Sequence, residues 1–570
     1  MAPRFDDLPN LRGMACLAVV HASHPPFRMQ QYPDHSDLFD TRAAAGVAIF
    51  VLLIHIIANI ITPYELHRDE FLYLAMGEHL RLWRMDFPPF IAIVGRISHA
   101  LFNASIPGLR LAPAISHAAL VYCAAWATAA FGARRSAQTL TALAVATSPF
   151  FLRPGALFQP VTFDQLWWTL TLVALIMRIR DDNPKHWIGM GVFLGLGALT
   201  KFSIAFLAVG IILAVILTPL RRDILTRWPW LALAIAIIIG HPSITGQIAL
   251  GWPVRQQMAD LQSSQLTHVS YLQFLTGQLH GGPISIFAIF GMFFLMRSHA
   301  NAGKEIIARA QPVINAKSTN GNFNAVACDW RPIAISTITP FVLLLIMRGK
   351  AYYIGPIYPI LMAAGAAALN QYSHKLSPQR PTKVLAVAAA AVALFGMLTI
   401  PYGLPVLAPP DMQSFERAFG GKTGTTTNTG EEIALPQDYA DMLGWTRLTE
   451  TVARVWRTLP PTDTANAIII ATNYGRAGAI DLLGRSRGLP HAISPVGSYW
   501  FFGPGDKTGS TAVVVGDNPE RLHRFYSEVT EVARTNNPWG VPEEQAVPIY
   551  VCRGAKRSIA EVWPSFAGQN

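Results

Sequence analysis

The sequence predicts a polytopic α-helical membrane protein of about eleven transmembrane helices with a small α/β domain at its C-terminal end. Two observations lead there. Hydrophobic residues make up 51% of the chain and charged residues only 14%, against the ~25% charged residues of an ordinary soluble protein. The apolar residues also gather into segments that approach the roughly 20 residues needed to cross a hydrocarbon core, and mean hydropathy is +0.32.

The elements follow in order. Residues 1–43 hold Pro, His and Asp around a short apolar patch, Met14 to Val20, that is too brief to span and lacks a following small-residue cleavage site. They read as a cytoplasmic tail, or as the product of a start codon placed upstream of the true one. Eleven apolar segments follow, at about 44–62, 111–131, 137–152, 165–179, 187–200, 202–218, 229–249, 283–297, 333–348, 354–370 and 384–400. Together they define a membrane domain over 44–400.

Basic residues set the orientation. A cytoplasmic N-terminus puts five successive basic loops inside: Arg134 and Arg135; Arg178, Arg180 and Lys185; Arg221, Arg222 and Arg227; the stretch from Arg297 to Arg331; and Lys375, Arg380 and Lys383. The net charge of +11 thereby reads as loops facing anionic lipid headgroups, with no nucleic-acid surface. The same parity places the first loop (62–110), the loop with Asp164, the stretch Gly251 to Gly282 and the C-terminal domain outside.

The first outer loop carries helical patterns at Glu70–Leu82 and Ile91–Leu101 on either side of Pro88-Pro89, which predicts two amphipathic helices lying in the interface. After Ile400 the composition turns to Thr, Gly and Pro. Strand-like runs at Ala467–Thr472, Thr511–Gly516 and Ala546–Cys552 then alternate with helical patterns at Ala440–Leu459 and Pro519–Arg534, so residues 401–570 read as an extracytoplasmic α/β domain. It contains no Walker or dinucleotide fingerprint. The cysteines, Cys16, Cys123, Cys328 and Cys552, have neither disulfide-framework nor zinc-site spacing.

Acidic groups at the end of a membrane helix are costly to desolvate and mark a place to look for chemistry. Asp69 and Glu70 stand just beyond the first segment, and Asp164 sits near Trp167 and Trp168. Lys201 and Lys350 fall on the outer side against the positive-inside bias, where an anionic lipid phosphate would account for them. His241, His268 and His280 read as interfacial or hydrogen-bonding residues rather than metal ligands. No ligand spacing demands a metal, and the sequence leaves a divalent metal open.

In order along the chain, Asp69-Glu70-Phe71-Leu72-Tyr73-Leu74-Ala75, Asp86-Phe87-Pro88-Pro89, Phe163-Asp164, Leu199-Thr200-Lys201-Phe202 and Gly349-Lys350-Ala351-Tyr352-Tyr353 resemble the motifs of family 39-type membrane glycosyltransferases. These are the mannosyltransferase-like enzymes of the GT-C superfamily that use polyprenyl-phosphate sugars. The resemblance runs from about residue 44 to 400, and the external domain, with Asn473-Tyr474-Gly475, is similar to the tail of a bacterial branch. Phe87 stands where many relatives have His.

The resemblance implies a GT-C-like fold in the inner (plasma) membrane. It also implies transfer of a sugar, with inversion, from a polyprenyl-phosphate carrier to a lipid, polysaccharide or protein acceptor. Transfer needs a base beside the acceptor hydroxyl and cations beside the leaving phosphate. Asp69 is the candidate base. Glu70 is either a second catalytic carboxylate or the cap of its helix. Asp164 would position sugar or acceptor. Lys350 and Lys201, with Arg348 or Arg68, would hold the phosphate, Tyr352 and Tyr353 would line the groove, and Asp86 would contact substrate. Two rival readings are a transporter or flippase, which should show ionisable residues near mid-span, and a non-catalytic envelope scaffold.

Overall fold

The computed structural model describes residues 39–309, 328–377, 380–420, 427 and 430–567. Most of the predicted N-terminal tail and part of the basic Arg297–Arg331 stretch lie outside the described residues. Each of the eleven predicted apolar segments falls on helix: Thr41–Ile61, Leu111–Ala130, Arg135–Thr147, Pro160–Asp181, His186–Thr200, Ile204–Leu217, Trp228–Ala249, Pro283–Arg309, Arg331–Ile346, Tyr358–Leu376 and Pro381–Gly403.

Full-length spans are fewer than the expected eleven. Among the described residues six helices are long and apolar enough to cross a membrane, or seven if Ile204–Leu217 and Pro219–Leu225, bent by 98°, count as one. The sequence breaks the others. Ser148-Pro149 ends Arg135–Thr147, because proline supplies no amide to the preceding turn. Lys201 in extended conformation ends His186–Thr200. Exposed apolar flanks such as Ile49, Ile57 and Ile60 on the first helix, and Ile237 and Ile238 on Trp228–Ala249, suit contact with lipid rather than water.

The C-terminal part builds a five-stranded sheet of β1 (Ile468–Ala471), β2 (Ala492–Ile493), β3 (Thr511–Val515), β4 (Tyr526–Arg534) and β5 (Pro548–Ala555), in the order β2-β1-β3-β5-β4. β1 pairs in parallel with both β2 and β3, placing Ile469 opposite Ala492 and Val513. β5 runs antiparallel between β3 and β4. The expected helix over Pro519–Arg534 is corrected: only Pro519–Leu522 is helical, and Tyr526–Arg534 is strand. Val529, Thr530 and Val532 are β-branched, and pairing with β5 decides between the two periods.

The first loop is corrected too. Its leading helix, Arg68–Glu78, does not lie in an interface with one face free, since Glu70 through Gly77 are all buried. Helix Tyr474–Leu483 covers it. A Cβ on Gly478 would stand 2.6 Å from Phe71 Cβ, so only glycine permits this approach. Phe71, Leu72, Leu74, Trp445, Leu448, Ile469 and Val513 share one core, so the first loop and the C-terminal sheet pack as a unit. The second loop helix, Phe90–Phe102, keeps Ile97, Leu101 and Phe102 exposed.

Candidate active site

Helix Arg68–Glu78 begins with a reciprocal cap. The His67 ring accepts from the Asp69 amide at 3.1 Å, and Glu70 accepts from the His67 amide at 2.7 Å. Glu70 is fully buried and does more than cap. Arg110 Nε and Nη2 donate to its two oxygens at 2.8 and 2.7 Å, and the Phe158 amide donates at 2.7 Å. Burial alone would raise its pKa, but Arg110 and these donors hold it below the usual value. Four donors occupy the two oxygens, so Glu70 ties the first loop to the bundle and has no geometry for taking a proton from a substrate.

Asp69 differs in exactly the respects a base needs: its side chain is 28% exposed and its partners are light. Tyr474 Oη donates to Oδ1 at 2.9 Å, and Gln159 Nε2 approaches Oδ2 at 3.3 Å. Tyr474 is aimed by the cap of its own helix, where Asn473 accepts from the Arg476 amide at 2.9 Å and donates to Glu544 at 2.8 Å. Burial, then the Asp69 charge, pushes the Tyr474 hydroxyl well above its ordinary value, so it stays a donor. Arg68 lies over the Tyr474 ring at 5.6 Å and pairs with Glu543 and, at 3.9 Å, with Asp441. It is therefore already engaged by the C-terminal domain.

Most of the remaining predicted residues are linked to Asp69 or to one another by pairwise contacts. Tyr352 is within electrostatic reach of Asp69 and Asp438, and its ring meets Tyr353 edge-on at 4.7 Å. Lys201 Nζ lies 5.2 Å above the Tyr353 ring and within reach of Asp164. Asp164 is buried and accepts from Trp168 Nε1 at 3.0 Å and Ser203 Oγ at 2.8 Å. Lys350 Nζ donates to Gln265 at 2.6 Å; burial brings its pKa down to about 8, with Asp438 opposing. Arg153, which the sequence did not single out, pairs with the same Asp438 and lies over Tyr439 at 5.0 Å.

Two predicted residues stand outside this set of contacts. Arg348 is exposed, adopts a positive φ of 54° and lies over Tyr271 at 4.8 Å. Asp86 is buried and accepts from Ser498 at 2.8 Å, while its carbonyl accepts from Gln247. His67 stands 3.9–4.0 Å from Asp69, Asp438 and Asp441, yet among the described residues no three His, Cys, Asp or Glu are placed to hold one metal ion.

Residues 86–245 match the model of the dolichyl-phosphate-mannose-protein mannosyltransferase family. No curated protein matches the chain. Among solved structures, ArnT from Cupriavidus metallidurans bound to undecaprenyl phosphate superposes with a TM-score of 0.52 at 13% identity, covering 89% of this chain and 97% of that one. Its apo form gives 0.52 at 14% identity with the same coverage. AglB from Archaeoglobus fulgidus, in complex with an inhibitory peptide and a dolichol-phosphate, gives 0.49 at 11% identity, covering 80% of this chain and 64% of that one. The fold read from the sequence motifs, a GT-C-like helical membrane protein with a small C-terminal sheet, is borne out.

Proposed function

We propose that this protein transfers a sugar from a polyprenyl-phosphate carrier to a hydroxyl of a lipid, polysaccharide or protein acceptor on the outer face of the membrane. The family match over 86–245 supports sugar transfer, and the undecaprenyl phosphate bound by ArnT, on the same fold, supports a lipid-phosphate donor.

The observation that carries the reading is the pairing of Asp69 with Tyr474, with Tyr352 in electrostatic reach of Asp69, Tyr353 against Tyr352, Lys201 over Tyr353, and Lys350 sharing Asp438 with Tyr352. Asp69 takes the proton of the acceptor hydroxyl. The acceptor oxygen forms a bond to the anomeric carbon while the bond from that carbon to the phosphate oxygen breaks. Polyprenyl phosphate leaves with the electron pair, and configuration inverts because attack and departure are on opposite faces. Lys350, Lys201 and Arg153 neutralise the charge that grows on the leaving phosphate. Asp164 orients Lys201 and the sugar.

The test is Asp69→Asn, assayed with an authentic polyprenyl-phosphate sugar in membranes. The variant should fold and accumulate normally but lose transfer. Full activity would remove Asp69 from the mechanism.

A further inference from the structure

A cavity of about 410 Å³ lies beyond the other end of the Asp69 helix, where Arg81, Arg84, Met85 and Asp86 face the turn Trp500–Gly503, with Trp563 and the end of helix Trp228–Ala249 completing it. Its volume is in the range of small-ligand sites, about 300–1,000 Å³. The two walls differ in chemistry.

One wall is aromatic and fixed. Ser498–Phe502 is a single helical turn held between Gly497 and Gly503, whose φ values of 60° and 98° only glycine adopts readily, and of its four successive aromatic residues Trp500, Phe501 and Phe502 line the cavity. The indoles of Trp500 and Trp563 each donate to the other's carbonyl, at 3.2 and 3.1 Å. Phe502 stacks on His79 at 4.2 Å with an interplanar angle of 7°.

The other wall is cationic. Arg81 and Arg84 are exposed on it, and among the described residues neither guanidinium has an ion-pair partner. Buried Asp86, bonded to Ser498, lies between the walls. Flat rings accept the C–H face of a sugar, a carboxylate accepts its hydroxyls, and paired guanidinium groups bind carboxylate or phosphate in a fixed fork. No membrane-lipid tail needs that combination.

We infer that this cavity binds the glycan part of the acceptor and selects an anionic saccharide, with a sugar ring against Trp500 and acidic groups on Arg81 and Arg84. Asp69 and His79 are ten residues apart on and just past one helix, about 15 Å at 1.5 Å per residue. The word acceptor rests on the proposed glycosyl transfer; the binding of an acidic saccharide does not.

The experiment titrates the full-length protein in detergent with trigalacturonate and with neutral maltotriose, following tryptophan fluorescence. In parallel it measures slow hydrolysis of a lipid-linked sugar, in which water takes the place of the acceptor hydroxyl and free sugar and polyprenyl phosphate are released. Trigalacturonate should bind about tenfold or more tightly than maltotriose, and Arg81→Gln with Arg84→Gln should abolish that preference while leaving polyprenyl phosphate release unchanged. Trp500→Ala should weaken both sugars. Equal affinities in the parent protein, or an unaltered preference in the double variant, overturn the inference. If the parent protein never consumes a lipid-linked sugar but binds trigalacturonate selectively, the glycosyl-transfer reading fails and the saccharide site stands.

Discussion

The Tyr474 hydroxyl donates to Asp69 Oδ1 at 2.9 Å across 405 residues of chain, joining the C-terminal domain to the first loop at the candidate base. This contact makes the C-terminal domain part of the candidate site's geometry. Tyr474→Phe keeps the ring and removes only the hydrogen bond. A hydrogen bond to a charged group contributes about 1.5–3 kcal/mol, so transfer should fall at least about tenfold with unchanged expression. Initial rates with a lipid-linked sugar check this; an unaltered rate would show that Asp69 is held adequately without the tyrosine.

Glu70 and Arg110 are both fully buried and bonded to each other. Removing one partner of such a pair leaves an uncompensated charge and costs about 3–5 kcal/mol. Arg110→Met should therefore lower the thermal unfolding midpoint sharply in detergent. Glu70→Gln should lose stability yet retain transfer in the fraction that folds, whereas Asp69→Asn should show the reverse. The opposite ranking would restore Glu70 as the reacting carboxylate.

Asp86 gives a pH signature. Burial raises its carboxyl from an ordinary 3.8 to about 6, against the Ser498 hydrogen bond. The folded state then binds the proton more tightly than the unfolded chain, so stability decreases as pH rises from about 4 to about 6. Above pH 6 the full penalty applies, about 3 kcal/mol for that gap. Asp86→Asn should be the more stable protein at pH 7.5, with the difference vanishing near pH 4, as read by thermal melts across that range.

Lys350 supplies a second pH test, on affinity rather than stability. With a pKa of about 8, its ammonium is charged below that pH and neutral above it. Donor KM should rise as pH increases through 8. Lys350→Arg, whose guanidinium stays charged, should flatten that limb. Lys350→Met should weaken donor use about 10- to 100-fold at pH 7. A wild-type KM that is constant from pH 7 to 9.5 would exclude Lys350 from phosphate binding.

The apolar segments were legible because lipid imposes a length and composition that few other structures share, and every one became helix. Asp69, Lys201, Lys350, Tyr352 and Tyr353 were legible as motifs. What the sequence hid was long-range pairing. Nothing local joins Glu70 to Arg110, 40 residues on, or Asp69 to Tyr474. Arg153 was not singled out in the sequence, and only the fold brings it to Asp438, 285 residues on. The helix read in Glu70–Leu82 forms over Arg68–Glu78, but it is buried from Glu70 to Gly77 rather than along one apolar face. In Tyr526–Arg534 the helical and strand periods competed, and a neighbouring strand decided between them.

The shared core of the first loop and the C-terminal sheet has a consequence for biogenesis. Phe71, Leu72 and Leu74 are made early, but the surface that buries them arrives only with Trp445, Ile469 and Val513. At a synthesis rate of about 5–20 residues per second, the 405 residues from Asp69 to Tyr474 take roughly 20–80 s. During that interval the apolar side chains of the first loop lack the surface that covers them, and Asp69 lacks the Tyr474 hydroxyl.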